Sequence, residues 1–255
     1  MGLSAETLQI ETRDGLELGA WFHAGDPRRV LVLLLHGMGA SRTSLSPAAR
    51  RLAENGFGYL ALSLRAFGDS EGERLDFGWS SRADVLAAVE TIEREQPGRP
   101  IVVIGQSLGA AAAIFAAPEL GTRIAGWILE GPYRDLDKAC RDRLSAQLLP
   151  PLDALAFAGL YLWAPLFLGE SFRQIRPIDS VDDLPPRVPV LFVAGSADRL
   201  APHEDIAELC ARSGGSAELA ILDGRDHCGL WELDARHWEL WSHFLERVAA
   251  DSLAH

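Results

Sequence analysis

The stretch IVVIGQSLGAAAAIFAA, Ile101 to Ala117, decides the fold. Ile101 to Ile104 form an apolar run of strand length, Gly105 and Gly109 bracket Ser107, and an alanine-rich helical composition follows at once. A run apolar at every position suits a strand covered on both faces of a parallel sheet. The switch of composition within five residues makes GQSLG a sharp strand-to-helix turn. Glycines on such a turn permit strained backbone and close helix packing, and the serine between them holds its hydroxyl above the strand end. As a bare pentapeptide the pattern is weak, because any small residue serves in a tight turn. Its place between strand and helix is what gives Ser107 the standing of a nucleophile.

The same grammar extends in both directions. Apolar runs of strand length recur at Val30 to Gly37, Tyr59 to Leu64, Gly126 to Gly131, Val188 to Gly195 and Glu218 to Gly224. Helical patterns fall between and after them at Leu45 to Asn55, Ser80 to Glu95, Ser107 to Ala117, His203 to Ser213 and Leu233 to Ala250. Strand and helix alternating this often predict right-handed βαβ crossovers and a mostly parallel, doubly wound α/β sheet. Two further segments, TLQIET and LELGAWFHA, flank Asp14-Gly15, a strong hairpin signal, so an antiparallel hairpin opens a sheet of about eight strands. Between Asp135 and Pro186 the spacing stretches and prolines gather around the apolar run Ala154 to Leu168. This segment, 135–186, reads as one or two short helices forming a cap within a single domain, 1–255.

Composition narrows the partners. At 255 residues, 48% hydrophobic, the chain can bury a sizeable core. A formal charge of -12 argues against nucleic acid and anionic membrane surfaces, which require clustered basic residues. The three cysteines, Cys140, Cys210 and Cys228, are scattered without metal-type spacing, so neither a disulfide framework nor a zinc site is expected. The N-terminus lacks a signal-peptide pattern, and the run Ala154 to Leu168 is too short to span a bilayer. These features predict a cytoplasmic protein without stable membrane insertion, monomeric or homodimeric.

A serine hydroxyl is a poor nucleophile unless a base accepts its proton. Of seven histidines, His227 in LDGRDHCGLWE directly follows the last strand run, at the carboxyl edge of the sheet where open α/β sheets bind ligands. The base needs a carboxylate to orient it. Asp198 in VLFVAGSADRLAP follows the preceding strand on the same edge, with Glu130 in GWILEGP the alternative acid, while Asp226 adjoins His227 and would point away. Negative charge developing on a carbonyl oxygen calls for fixed donors. The loop HGMGAS, His36 to Ser41, can turn the Met38 N–H inward, and the Leu108 N–H at the start of the elbow helix would complete the pair.

Serine, acid and histidine in that order, each after a strand, resemble the α/β-hydrolase superfamily over nearly the whole chain. The loop LRAFGDSEG, Leu64 to Gly72, is similar to the family's R-G-x-G-x-S-x-G loop, with Ala66 replacing the first glycine; its glycines and Asp69 are expected to shape the cleft entrance. The short cap and the GSADRLAP and GRDHCGL loops resemble small-capped serine hydrolases related to acylglycerol lipases and serine aminopeptidases. The resemblance implies an acyl-enzyme mechanism on carboxylic esters of small to medium acyl groups, with thioesters and amides still open, and requires no metal or organic cofactor. A lyase or perhydrolase, or a receptor module with a slow site, are the competing readings. Apolar residues of the cap, among them Leu155, Phe157, Leu160, Tyr161, Trp163, Leu166 and Phe167, are expected to pack largely as cap core, with Phe157, Tyr161 and Trp163 as candidates for an acyl pocket. Trp231 and Trp238 are expected to pack the last helix on the sheet.

Overall fold

The computed structural model describes residues 5–168, 174–214, 216–227 and 229–253, without the side chains of residues 146, 165, 167, 231 and 253. Cys228 and the side chains of Phe167 and Trp231 therefore lie outside the described residues. The strands are β1 (Glu6–Glu11), β2 (Glu17–His23), β3 (Leu31–Leu35), β4 (Gly58–Leu62), β5 (Ile101–Gln106), β6 (Gly126–Glu130), β7 (Val190–Gly195) and β8 (Ala217–Leu222). The helices are α1 (Ser46–Glu54), α2 (Arg82–Glu95), α3 (Leu108–Leu120), α4 (Leu136–Gln147), α5 (Leu152–Leu168), the single turn α6 (Pro177–Ser180), α7 (His203–Arg212) and α8 (Ala235–Leu253).

The strands form one sheet in the order β1-β2-β4-β3-β5-β6-β7-β8. β2 pairs antiparallel with β1 and with β4, and every other pairing is parallel. Why the central runs are apolar throughout is visible in β3. Leu31, Leu33 and Leu35 enter a core shared with α2 and α3, whereas Val32 and Leu34 point to the opposite core beneath α1 and α8. Alternate side chains leave opposite faces of a strand, so covering both faces demands an unbroken apolar sequence. α3 is buried on nearly every side, which explains its run of alanines.

Between β3 and β5 the direction of winding reverses: the chain passes from β3 to β4 on one side, then crosses to β5 on the other. Loops leaving adjacent strands diverge at such a switch point and open a crevice at the carboxyl ends. The loops after β3 and β5 are those that carry Met38 and Ser107.

The cap differs from expectation in its packing. α5 is a seventeen-residue helix, apolar on all sides. Phe157 and Ala164 are buried, and Leu155, Leu160, Tyr161, Leu162, Trp163 and Leu166 are exposed, from 38% to 73%. A straight helix can turn only one stripe toward its neighbours. Here that stripe meets α4 and a small core around Ala111, Phe115 and Tyr133, leaving the rest in solvent. Trp238 packs as expected, buried and edge-on to Phe57. Among the described residues no helix is long and apolar enough to cross a membrane.

Candidate active site

Ser107 stands between β5 and α3 with φ +49°, a left-handed backbone that a non-glycine residue adopts only when its surroundings impose it. Both flanking glycines are required by close approach. A Cβ on Gly105 would come within 2.7 Å of the Ala110 backbone, and one on Gly109 within 2.6 Å of the Leu35 carbonyl oxygen. The turn is further held by the Ser107 N–H, which donates to the Glu130 carbonyl at 2.7 Å.

His227, on the loop after β8, lies with Nε2 2.9 Å from Ser107 Oγ and Nδ1 2.7 Å from Asp198 Oδ2. With Nδ1–H donating to the carboxylate, Nε2 is left to accept the serine proton. Asp198 is buried, and its second oxygen accepts the N–H groups of Leu200 and Ala201 at 2.8 and 2.9 Å. Four lone-pair sites of the carboxylate are thus mostly spoken for, and the side chain can turn only one way. Asp226 turns away, accepting the Gly229 N–H at 2.7 Å.

Glu130, the alternative acid, is engaged elsewhere. Its Oε1 accepts His237 Nε2–H at 2.5 Å and Trp241 Nε1–H at 2.7 Å, both from α8. The chain therefore buries two carboxylate–imidazole pairs, and only Asp198–His227 reaches Ser107.

On the loop after β3, His36 is fully buried. Its Nδ1–H donates to the Gly37 carbonyl at 2.8 Å, and its Nε2 accepts the Leu64 N–H at 3.0 Å. Burial pulls its pKa down to about 4, so the ring is neutral and can serve both contacts at once. This staple fixes the start of the HGMG loop against the end of β4. The N–H groups of Met38 and Leu108 find no acceptor among the described residues, and Leu108 opens α3, where the helix dipole favours negative charge.

The loop after β4 is built on ion pairs. Arg65 joins Asp84 at 2.7 Å and Asp14 at 2.8 Å, and Arg42 pairs with Asp69. Ala66 and Gly68 both have positive φ there. Two residues that the sequence did not single out also matter at the site. His36 precedes a glycine, a usable signal of a loop anchor, while Gly131 ends an apolar run and carries no signal of its place beside His227. Gly131 has φ +54°, and a Cβ on it would lie 3.3 to 3.4 Å from the His227 ring.

Phe157 and Tyr161 border a cavity of about 670 Å³ with Asp137, Arg141, Leu162 and Arg176, and Arg141 stacks over Phe157 at 3.8 Å. None of Ser107, Asp198 or His227 borders that cavity, and Trp163 is 57% exposed. The geometry thus places the three candidate acyl-pocket residues on the cap without joining them to the serine.

Fold and topology together are those of an α/β-hydrolase. Comparison with known proteins agrees: an esterase of Pyrococcus furiosus superposes with a TM-score of 0.79 at 25% identity, covering 96% of this chain and 91% of that one. Human monoglyceride lipase is 34% identical over 209 residues, 71% of this chain and 68% of the lipase. An uncharacterised protein of Mycobacterium tuberculosis is 28% identical over 233 residues, 89% of this chain and 74% of its own length. A family model described as Hydrolase_4, serine aminopeptidase S33, matches residues 26–165. The chain belongs to that family, as an esterase- or lipase-like hydrolase of the α/β-hydrolase type.

Proposed function

We propose that this protein hydrolyses carboxylic esters of small to medium acyl groups, with Ser107 as nucleophile, His227 as general base and acid, and Asp198 as the group that orients His227. The observation that carries the reading is the continuous relay from Ser107 Oγ through His227 to Asp198, at 2.9 and 2.7 Å, with the serine on a strained elbow. Ser107 Oγ attacks the acyl carbon as its proton passes to His227 Nε2. The carbonyl oxygen becomes an anion, held by the N–H groups of Met38 and Leu108. Collapse expels the alcohol, which takes the proton from His227, and leaves an ester on Ser107. Water attacks that ester, giving a proton to His227, and the acid departs as the proton returns to Ser107. Human monoglyceride lipase and the Pyrococcus esterase, both ester hydrolases by name, support an ester over an amide.

Labelling with a fluorophosphonate, followed by peptide mapping, tests nucleophile and base together. Wild type is expected to carry the label on Ser107, His227→Ala to lose it, and Ser107→Ala to lose turnover of an activated aryl butyrate by at least about a thousandfold. Full turnover in Ser107→Ala would overturn the reading.

A further inference from the structure

A second buried carboxylate–imidazole pair lies directly behind the elbow. Glu130 is the last residue of β6, and its side chain is fully buried. A lone buried carboxylate is costly, and a leucine or methionine would fill the same space without that penalty. The chain instead supplies Glu130 with two donors from α8: His237 Nε2–H at 2.5 Å and Trp241 Nε1–H at 2.7 Å. The Gln106 amide approaches its other oxygen at 3.4 Å. Among the described residues Glu130 is the only polar partner of the His237 ring, whose Nδ1 is buried without one.

Residues 130 and 131 also adjoin the two members of the serine–histidine pair. The Glu130 carbonyl accepts the Ser107 N–H at 2.7 Å, and Gln106, which reaches its carboxylate, immediately precedes the serine. Its neighbour Gly131 forms the wall on which the His227 ring rests. Displacement of the end of β6 would therefore shift Ser107 and His227 relative to each other. Among the described residues that strand end is held by the α8 donors, by the ladder to β7 and by its contacts with Gln106 and Ser107.

We infer that Glu130, fastened by His237 and Trp241, is a positioning residue that sets the distance between Ser107 and His227 from behind. The inference rests on the serine-hydrolase reading above. Burial pulls the His237 pKa down, while the attraction and hydrogen bond of Glu130 push it up, and the net shift is upward. Asp234, at the start of α8, adds to the upward shift, and Arg225 opposes it.

The test uses Glu130→Gln, Trp241→Phe, His237→Gln and His237→Leu, comparing the rate of fluorophosphonate labelling and, per labelled site, kcat and KM on an aryl butyrate. Glu130→Gln is expected to lose at least about tenfold in kcat and in labelling rate, with KM within about twofold, because a small misplacement of reacting groups acts on the transition state. Trp241→Phe, which deletes one donor and keeps the ring, is expected to lose about threefold. His237→Gln, which keeps a donor, retains more activity than His237→Leu. A purely structural pair would lower the melting temperature of all four and leave kcat per labelled site unchanged; labelling rates within twofold of wild type in Glu130→Gln, or in Trp241→Phe should the former not fold, would overturn the inference. Absence of labelling on wild type would overturn the hydrolase reading itself, and the positioning role with it.

Discussion

Gly131 is the position at which the smallest chemical change reaches the reacting atoms. One added methyl meets Leu230 at 3.1 Å and the His227 ring at 3.3 Å, and the backbone there has φ +54°. Leu230 is buried, and whatever part of the shift it does not take up falls on the imidazole. Gly131→Ala is therefore expected to lower kcat by about tenfold to a hundredfold while the protein stays folded, since a shift of an ångström or less suffices for such losses. Steady-state kinetics beside a thermal melt would check it. Unchanged kcat would mean that His227 finds another rotamer still in reach of Ser107.

The loop following β4 illustrates how an element can carry strain. Ala66, at φ +64°, holds a backbone that glycine adopts more readily. It is held by the bond from its own N–H to the Glu71 carbonyl at 2.9 Å and by the ion pairs of Arg65 next to it. Ala66→Gly should stabilise the protein by about 1 kcal/mol, or about 2–4 °C in a chain of this size, because alanine is disfavoured at positive φ. A melt that does not rise would show that the loop relaxes around the alanine. The cap helix shows the reverse situation. α5 reads as core from composition, yet among its described side chains the covered stripe is that of Phe157, Ala164 and, in part, Leu168, since hydropathy that is uniform around a helix names no inward face.

On the acid side, His36 acts on the stability of the whole molecule in one direction and Asp84, whose pKa burial raises to about 6, in the other. The folded protein keeps the His36 ring neutral down to about pH 4, whereas the unfolded chain protonates it near its ordinary value of about 6.5. Below about 6.5 the unfolded state binds a proton that the folded state refuses, so the contribution is complete above that pH and is lost as pH falls toward 4. The loss amounts to about 3 kcal/mol in order of magnitude. Asp14 and Asp69, whose carboxyls are held below the usual range by Arg65 and Arg42, extend the loss to lower pH. His237 works in the opposite sense, its stabilisation fading as pH rises through its elevated pKa. The urea midpoint should fall more between pH 7 and pH 4.5 in wild type than in His36→Gln, since the Asp84 contribution is common to both. An equal difference in both would remove His36 from the account.

Much of this architecture is local and so could be read along the chain. Apolar runs mark β3 to β7 because a strand buried on both faces admits a polar side chain only where partners meet it, as at Gln106 and Glu130 at the ends of β5 and β6. GQSLG marks the elbow because only glycine fits where α3 approaches β5 and β3, and the order Ser107, Asp198, His227 follows from which loops leave the carboxyl edge. What the chain order leaves undecided is which carboxylate faces which imidazole. Glu130 ends β6 and Asp198 follows β7 in the same sheet, and His227 and His237 lie ten positions apart. Their pairing depends on the register between β6 and β7 and on the approach of α8 to the end of β6, which joins residues more than a hundred positions apart. The same holds for the inward face of α5: its sequence is apolar all round, so contact with α4 and with the core around Ala111, Phe115 and Tyr133 selects the stripe that is covered.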